Sequence, residues 1–193
     1  MHRRARKFDP ERMAYLESEE RRQLLDPPSL LAHFGIQQGW TVADVGCGPG
    51  FFTFPLAELV GVGGRVYGID EEPMMVARLE ERIKELDVRN VSAVLSAEDS
   101  IPLADNIVDF ALLSMVLHEL YGPSTLLETR RILRQDGSLA VVDWRKKDEP
   151  YGPPKRHRLN EIEAAAKLRA AGFDPGPALD MGPSHYGFKA KKL

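Results

Sequence analysis

Cysteine is almost missing: Cys47 is the only one in 193 residues. One thiol cannot form an intrachain disulfide, so the fold must rest on packing, and a reducing, cytoplasmic setting is expected. An excess of positive charge is also lacking. The 26 Lys and Arg stand against 29 Asp and Glu, a formal net charge of −3, which gives no clear footprint for nucleic acid. The one basic cluster, His2, Arg3, Arg4, Arg6 and Lys7, reads either as a solvated terminus or as a contact for an acidic ligand or partner. No apolar run approaches the ~18 residues needed to span a bilayer, so no membrane partner is expected. The basic start passes straight into charged residues, so no secretory leader is expected either. Repeats and low-complexity tracts are absent. What remains is a globular composition, 43% hydrophobic and 28% charged, at a length suited to one domain with a sizeable core.

Residues 9–35 suggest two short helices. Asp9-Pro10-Glu11 and Asp26-Pro27-Pro28-Ser29 each place a capping acid before proline, and Gly35 offers a stop. Met13, Leu16 and Leu24 give a thin apolar stripe. The stretch 1–35 is therefore expected to be a helical extension or lid on a domain spanning 36–193. From Trp40 the pattern alternates: strand 41–45, helix 51–60, strand 65–70, helix 73–86, strand 91–95, strand 108–113, helix 123–133, a turn at Asp136-Gly137, and strand 138–143. Strand 108–113 is the most continuously apolar and is expected to lie inside the sheet. Strands separated by helices imply βαβ units and a parallel α/β sheet. The end departs from this rhythm. Asn160 caps a helix to Ala171, and two extended runs, 178–181 and 185–190, flank the turn Gly182-Pro183-Ser184 and should pair antiparallel. The long polar connection 145–158 is expected to be functional or mobile.

The strongest chemical signal is Asp44-Val45-Gly46-Cys47-Gly48-Pro49-Gly50, leaving a strand and entering a helix. Alternate glycines let a backbone turn tightly and approach a ligand with no Cβ between. The spacing is G-x-G-x-G rather than the dinucleotide G-x-G-x-x-G. An acid two residues before the first glycine serves a pyrophosphate poorly and a cationic amino-acid moiety well. This disfavours a nicotinamide-dependent oxidoreductase. Asp70 ends the second strand 24 residues after Gly46, where a carboxylate can accept hydrogen bonds from a ribose diol.

Together with Gly68-Ile69-Asp70 and the following Pro73-Met74-Met75, this loop resembles motifs I and II of the class I S-adenosylmethionine-dependent methyltransferases. Ala97-Glu98-Asp99-Ser100-Ile101-Pro102-Leu103, Ser114-Met115-Val116-Leu117-His118-Glu119-Leu120 and Leu133-Arg134-Gln135-Asp136-Gly137 are similar to later blocks of its small-molecule, ubiquinone/menaquinone-biosynthesis-like branch. The resemblance implies a Rossmann-like, doubly wound seven-stranded sheet, mostly parallel with an antiparallel C-terminal strand and helices on both faces. It implies S-adenosylmethionine as methyl donor, S-adenosylhomocysteine as product and a small-molecule acceptor. A non-catalytic S-adenosylmethionine-binding module, or a subunit of a larger complex, is the alternative. By resemblance Gly46, Gly48 and Gly50 face the methionine part, Asp44 reaches its ammonium, Asp70 holds the ribose and Met75 packs on the adenine. Ala97 and either Glu98 or Asp99 read the adenine edge, and Ser114 also belongs to the cofactor site. No metal ligands are implied, and a monomer or homodimer is equally compatible.

Two departures narrow the acceptor. The acid–Pro-Pro-aromatic signature of enzymes that methylate amino groups of DNA bases or glutamine is replaced by Ser114-Met115-Val116-Leu117. Arsenite methyltransferases use several cysteines, and this chain has one. Because the sulfonium already activates the methyl group, the protein mainly aligns a nucleophile. A general base is needed only for a poor nucleophile. His118 and Glu119 after strand four, and Asp143 and Trp144 after strand five, are the nearest groups, with His118 and Asp143 the candidate catalytic pair. Tyr151, His157 and Tyr186 become candidates only if the 145–158 segment and the last turn fold over the pocket.

Overall fold

The computed structural model describes residues 16–18, 21–22 and 25–193. The basic cluster at 2–7, the cap at Asp9, and Met13 and Leu24 lie outside the described residues. The first helix described in full is α1 (Pro27–Ala32), with Pro27 at its first position and Ser29 Oγ donating to Asp26 Oδ2 at 2.5 Å. Gly35 follows with φ +65°, the left-handed turn that favours glycine.

Five strands then form the parallel body: β1 (Thr41–Val45), β2 (Arg65–Asp70), β3 (Val91–Leu95), β4 (Val108–Ser114) and β5 (Leu133–Trp144). The intervening helices are α2 (Thr53–Val60), α3 (Pro73–Glu85) and α4 (Ser124–Ile132). After the 3-10 turn Lys155–His157 come α5 (Glu161–Ala170), β6 (Phe173–Asp174), β7 (Leu179–Asp180) and β8 (His185–Lys192). The sheet order is β3-β2-β1-β4-β5-β8-β6, with β7 also paired to β8, and every pairing of β8 is antiparallel. The seven expected strands are joined by an eighth, the two-residue β6. The expected helix cap at Asn160 is a reciprocal capping box with Glu163.

Alternation along the strands sorts the core into two layers, since successive side chains point to opposite faces. Ala43, Val45, Ala111, Leu113, Leu139 and Val141 pack with Leu126 and Ile132 of α4 and Ala164 and Leu168 of α5. Val42, Phe110, Leu112, Ala140 and Val142 pack with Leu30 and Leu31 of α1 and Leu56 and Val60 of α2. Covered on both faces, β4 is buried at every residue but Asp109, which explains the apolar run from Phe110 to Leu113. The expected turn at Asp136-Gly137 is instead a bulge within β5. Val108 pairs with Leu133 and Phe110 with Ser138, so the extra residues of β5 are looped out.

The chain crosses from one half of the sheet to the other between β1 and β4, which are neighbours despite the intervening β2 and β3. Such a switch point opens a crevice beyond the carboxyl ends of the strands. Among the described residues no helix is long and apolar enough to cross a membrane.

Candidate functional site

A cavity of about 200 Å³ occupies that crevice. Its floor is the glycine loop after β1. Gly46 and Cys47 donate their backbone N–H groups to Ile69 O at 2.8 and 3.1 Å, so the loop is stitched to the end of β2. Gly48 donates to Asp70 Oδ2 at 2.8 Å, and Glu72 N donates to Asp70 Oδ1 at 3.0 Å. Burial raises the Asp70 carboxyl above its usual range against the lowering effect of those two amides.

The three glycines serve different ends. Gly48 (φ +54°) lines the cavity, and a Cβ there would meet only Leu16 Cδ1 at 3.4 Å. Gly46 also lines the cavity, but a Cβ there would sit 2.4 Å from Val116 Cγ2. Gly46 therefore lets the chain after β4 close down on the loop. Gly50 lies outside the lining. A Cβ there would press on Leu79 and Phe54 side chains at 2.7 and 2.8 Å, so it serves helix packing. Asp44 is likewise behind the lining, buried, and accepts from Thr53 Oγ1 at 2.7 Å. Burial pushes its carboxyl up to about 7, with Thr53 and Arg21 opposing and Asp70 reinforcing the rise.

One wall follows β3. Ala97 and Ser100 exchange backbone hydrogen bonds in a tight turn, and Thr125 Oγ1 donates to Glu98 O. Ala97 and Glu98 face the cavity and Asp99 does not. Met75 reaches it from α3.

The opposite wall follows β4. Ser114 lines the cavity, and its buried Oγ has no hydrogen-bond partner among the described residues. Met115 adopts φ +61°, a left-handed conformation uncommon for a non-glycine residue, while its N–H is held by Val142 O at 2.8 Å. That turn carries Val116, Glu119 and Leu120 to the cavity. The sequence names Glu119 but carries no signal for the Met115 turn.

His118 and Asp143 are brought together, but behind the lining. His118 Nδ1 lies 2.7 Å from Asp143 Oδ1, and Asp143 accepts from the backbone N–H groups of His118 (3.0 Å) and Trp144 (2.8 Å). Burial lowers the His118 pKa, but Asp143 and Glu119 outweigh it and hold the imidazole above its usual value.

Leu16 and Arg21 complete the lining from the N-terminal stretch. Glu17 pairs with Arg78 of α3 at 2.9 Å, and the Arg21 guanidinium lies 4.2 Å from the centroid of the Phe51 ring. Remote in sequence, these two cavity residues carry no motif.

The 145–158 segment contributes nothing to the lining. Arg158 is buried, and its guanidinium gathers Glu149 (2.5 Å) and the carbonyls of Arg145, Tyr151 and Pro153. A buried guanidinium must satisfy its donors, so the segment wraps around it instead of over the cavity. Tyr151 meets Ser184, and Tyr186 Oη donates to Leu159 O. Neither these two nor His157 lines the cavity. Among the described residues no group of His, Cys, Asp or Glu is placed to hold a metal ion.

A family described as "Methyltransferase domain" matches residues 36–171. A solved S-adenosylmethionine-dependent methyltransferase from Aquifex aeolicus is 37% identical, with a TM-score of 0.92, covering 95% of this chain and 98% of that one. A demethylmenaquinone methyltransferase from Geobacillus sp. is 30% identical over 124 residues, 64% of this chain and 53% of that protein. An arsenite methyltransferase from Halobacterium salinarum is 33% identical over 106 residues, 54% of this chain and 27% of that protein. The chain thus spans about half or less of the curated relatives it matches.

Proposed function

This chain belongs to the methyltransferase-domain family, and from that premise we propose that it transfers a methyl group from S-adenosylmethionine to a small-molecule acceptor. The observation that carries the reading is the cavity itself, where a left-handed glycine loop, the Asp70 carboxylate and the orphaned Ser114 hydroxyl converge. A buried hydroxyl without a partner is costly in a finished core and suits a surface that completes itself on a polar ligand.

The residues present fit the cofactor. Gly46 and Gly48 would lie along its methionine part, Asp70 would take the ribose hydroxyls, and Met75, Ala97 and Glu98 would border the adenine. Asp44, behind the loop, would act on the ammonium through the field of its buried carboxylate. The bound group supplies an activated methyl; the chain's residues bind, orient and exclude water. Leu16 and Arg21, clasped to α3 through Glu17, support the N-terminal stretch as a lid over the loop.

A small-molecule acceptor draws support from the demethylmenaquinone methyltransferase relative. The arsenite activity of the Halobacterium relative is not carried over, because the single thiol, Cys47, is buried and directed at Gly48 O. The lone cysteine and absent basic excess favour a cytoplasmic enzyme that does not act on nucleic acid. The test is S-adenosylhomocysteine release by the full chain over fractionated metabolite pools. A fraction that drives release supports the enzyme. Cofactor binding without release from any fraction would mark a non-catalytic binding module.

A further inference from the structure

We propose that the outer edge of β3 is a dimer seam, along which a second copy of this chain adds its own β3 antiparallel about Ala93. β3 ends the sheet order, so one of its sides meets no strand among the described residues. Asn90 O accepts from Val66 N at 2.8 Å, and Ser96 N donates to Asp70 O at 2.9 Å. In a parallel ladder this turns the backbone groups of the even-numbered residues of β3 toward β2. Val91, Ala93 and Leu95 therefore present their N–H and C=O groups outward.

An edge of this kind is ordinarily guarded by a charge, a proline or a bulge. Val91-Ser92-Ala93-Val94-Leu95 has neither charge nor proline, and it pairs with β2 in unbroken register. Leu95 is 51% exposed. Met74 and Leu86, at the two ends of the helix α3 that packs on β3, are 52% and 55% exposed. Outward backbone groups and exposed apolar side chains thus run along one line, which suits an added strand.

The edge complements itself, which makes the occupant a second copy. A homodimer closes on a two-fold axis, and an axis at Ala93 sets the added strand antiparallel. Ala93 then faces Ala93 of the other copy and Leu95 faces its Val91, each pair exchanging both N–H···O bonds. The charges agree with this register. Arg89 meets Asp87 at 3.4 Å, with both side chains more than 80% exposed, a contact worth little in water. Asp99 is exposed and does not line the cavity. Continuing the register sets Arg89 of one copy diagonal to Asp99 of the other on the same face of the sheet, within reach of a long side chain. The two-fold axis forms that pair twice. The seam is short, so the dimer is reversible.

The experiment follows the full chain by sedimentation velocity from about 5 to about 500 μM, the range in which a short interface associates, together with amide hydrogen exchange read by NMR. Monomer should give way to dimer across that range. The amides of Val91, Ala93 and Leu95 should gain protection as it does, while those of Ser92 and Val94, turned to β2, should not change. Ala93→Pro removes an outward N–H that β2 does not use, and Leu95→Lys places a charge on the edge at an exposed position, where it keeps the test open if the proline variant fails to fold. Each should weaken association at least about tenfold. Arg89→Glu should weaken it about three- to tenfold, and adding Asp99→Arg should restore it to within about twofold. A chain that stays monomeric throughout would overturn the proposal and leave the edge to a strand of another protein. A dimer with unprotected edge amides, a dimer that survives Leu95→Lys, or a charge swap that restores nothing would each overturn it as well.

Discussion

Replacing Gly46 with alanine tests how the glycine loop and the chain after β4 fit together. Gly46 has φ +74°, so any side chain there carries a left-handed strain of roughly 1–2 kcal/mol. The new Cβ would also stand 2.4 Å from Val116 Cγ2 and 3.3 Å from Cγ1. Forcing a methyl into such a contact costs about 1–3 kcal/mol, so Gly46→Ala should lose about 2–5 kcal/mol of stability. Val116→Ala deletes both offending methyls from a partly buried site and should itself cost about 1 kcal/mol. The double variant removes the clash but keeps the strain, so it should be more stable than the sum of the singles by about 1–3 kcal/mol. Urea unfolding of the four proteins measures the coupling. Additivity within ~0.5 kcal/mol would refute the packing argument and leave Gly46 explained by backbone conformation alone.

Asp70→Ala removes a carboxylate that braces Gly48 and Glu72 and faces the cavity; S-adenosylmethionine affinity should weaken by roughly 1.5–3 kcal/mol in calorimetry, and unchanged affinity would contradict the ribose assignment. Asp44, raised from 3.8 to about 7, is protonated in the fold through mildly acidic pH, and only its ionised form attracts the cofactor's ammonium. Affinity should therefore rise about three- to tenfold between pH 6 and 8 and flatten in Asp44→Asn; a slope that persists in the variant assigns the titration elsewhere. The same raised value means that folding stability from this group is greatest in acid and is lost as pH climbs from about 4 to about 7. Arg158→Met breaks the buried pair with Glu149, which keeps Ser184 and Lys147, and removes the guanidinium donor from the Tyr151 and Pro153 carbonyls; it should cost about 3–5 kcal/mol, a fall of roughly 10 °C in Tm, with cofactor affinity preserved. A stable variant would show that the segment needs no guanidinium at its centre.

The parallel body was legible because β1, β4 and β5 are buried on both faces and read as apolar runs between capped helices. Phe173–Asp174 was not, since two residues carry no period. The Asp136-Gly137 bulge looks like a turn because both use the same residue types. In the site, Gly46, Gly48, Asp70 and Ser114 sit on strand ends, where local pattern and topology coincide. Gly50 shows the limit: a glycine needed for contact with Leu79 and Phe54 is indistinguishable in sequence from one needed for a ligand. Arg158 shows another, because nothing in a polar, proline-rich connection announces that its last arginine is buried. The left-handed Met115 has no residue-type signature at all.

The central claim is that S-adenosylmethionine binds in the crevice between the ends of β1, β2 and β4. The most direct measurement is backbone NMR shift mapping of the ¹⁵N-labelled chain during titration with S-adenosylhomocysteine, which needs no knowledge of the acceptor. The account predicts saturable shifts centred on the amides of Gly46, Gly48, Asp70, Glu72, Ala97, Glu98 and Ser114, with Asp99 less affected and the Tyr151–Arg158 segment unmoved. No binding, or shifts centred on that segment with the glycine loop silent, would contradict it.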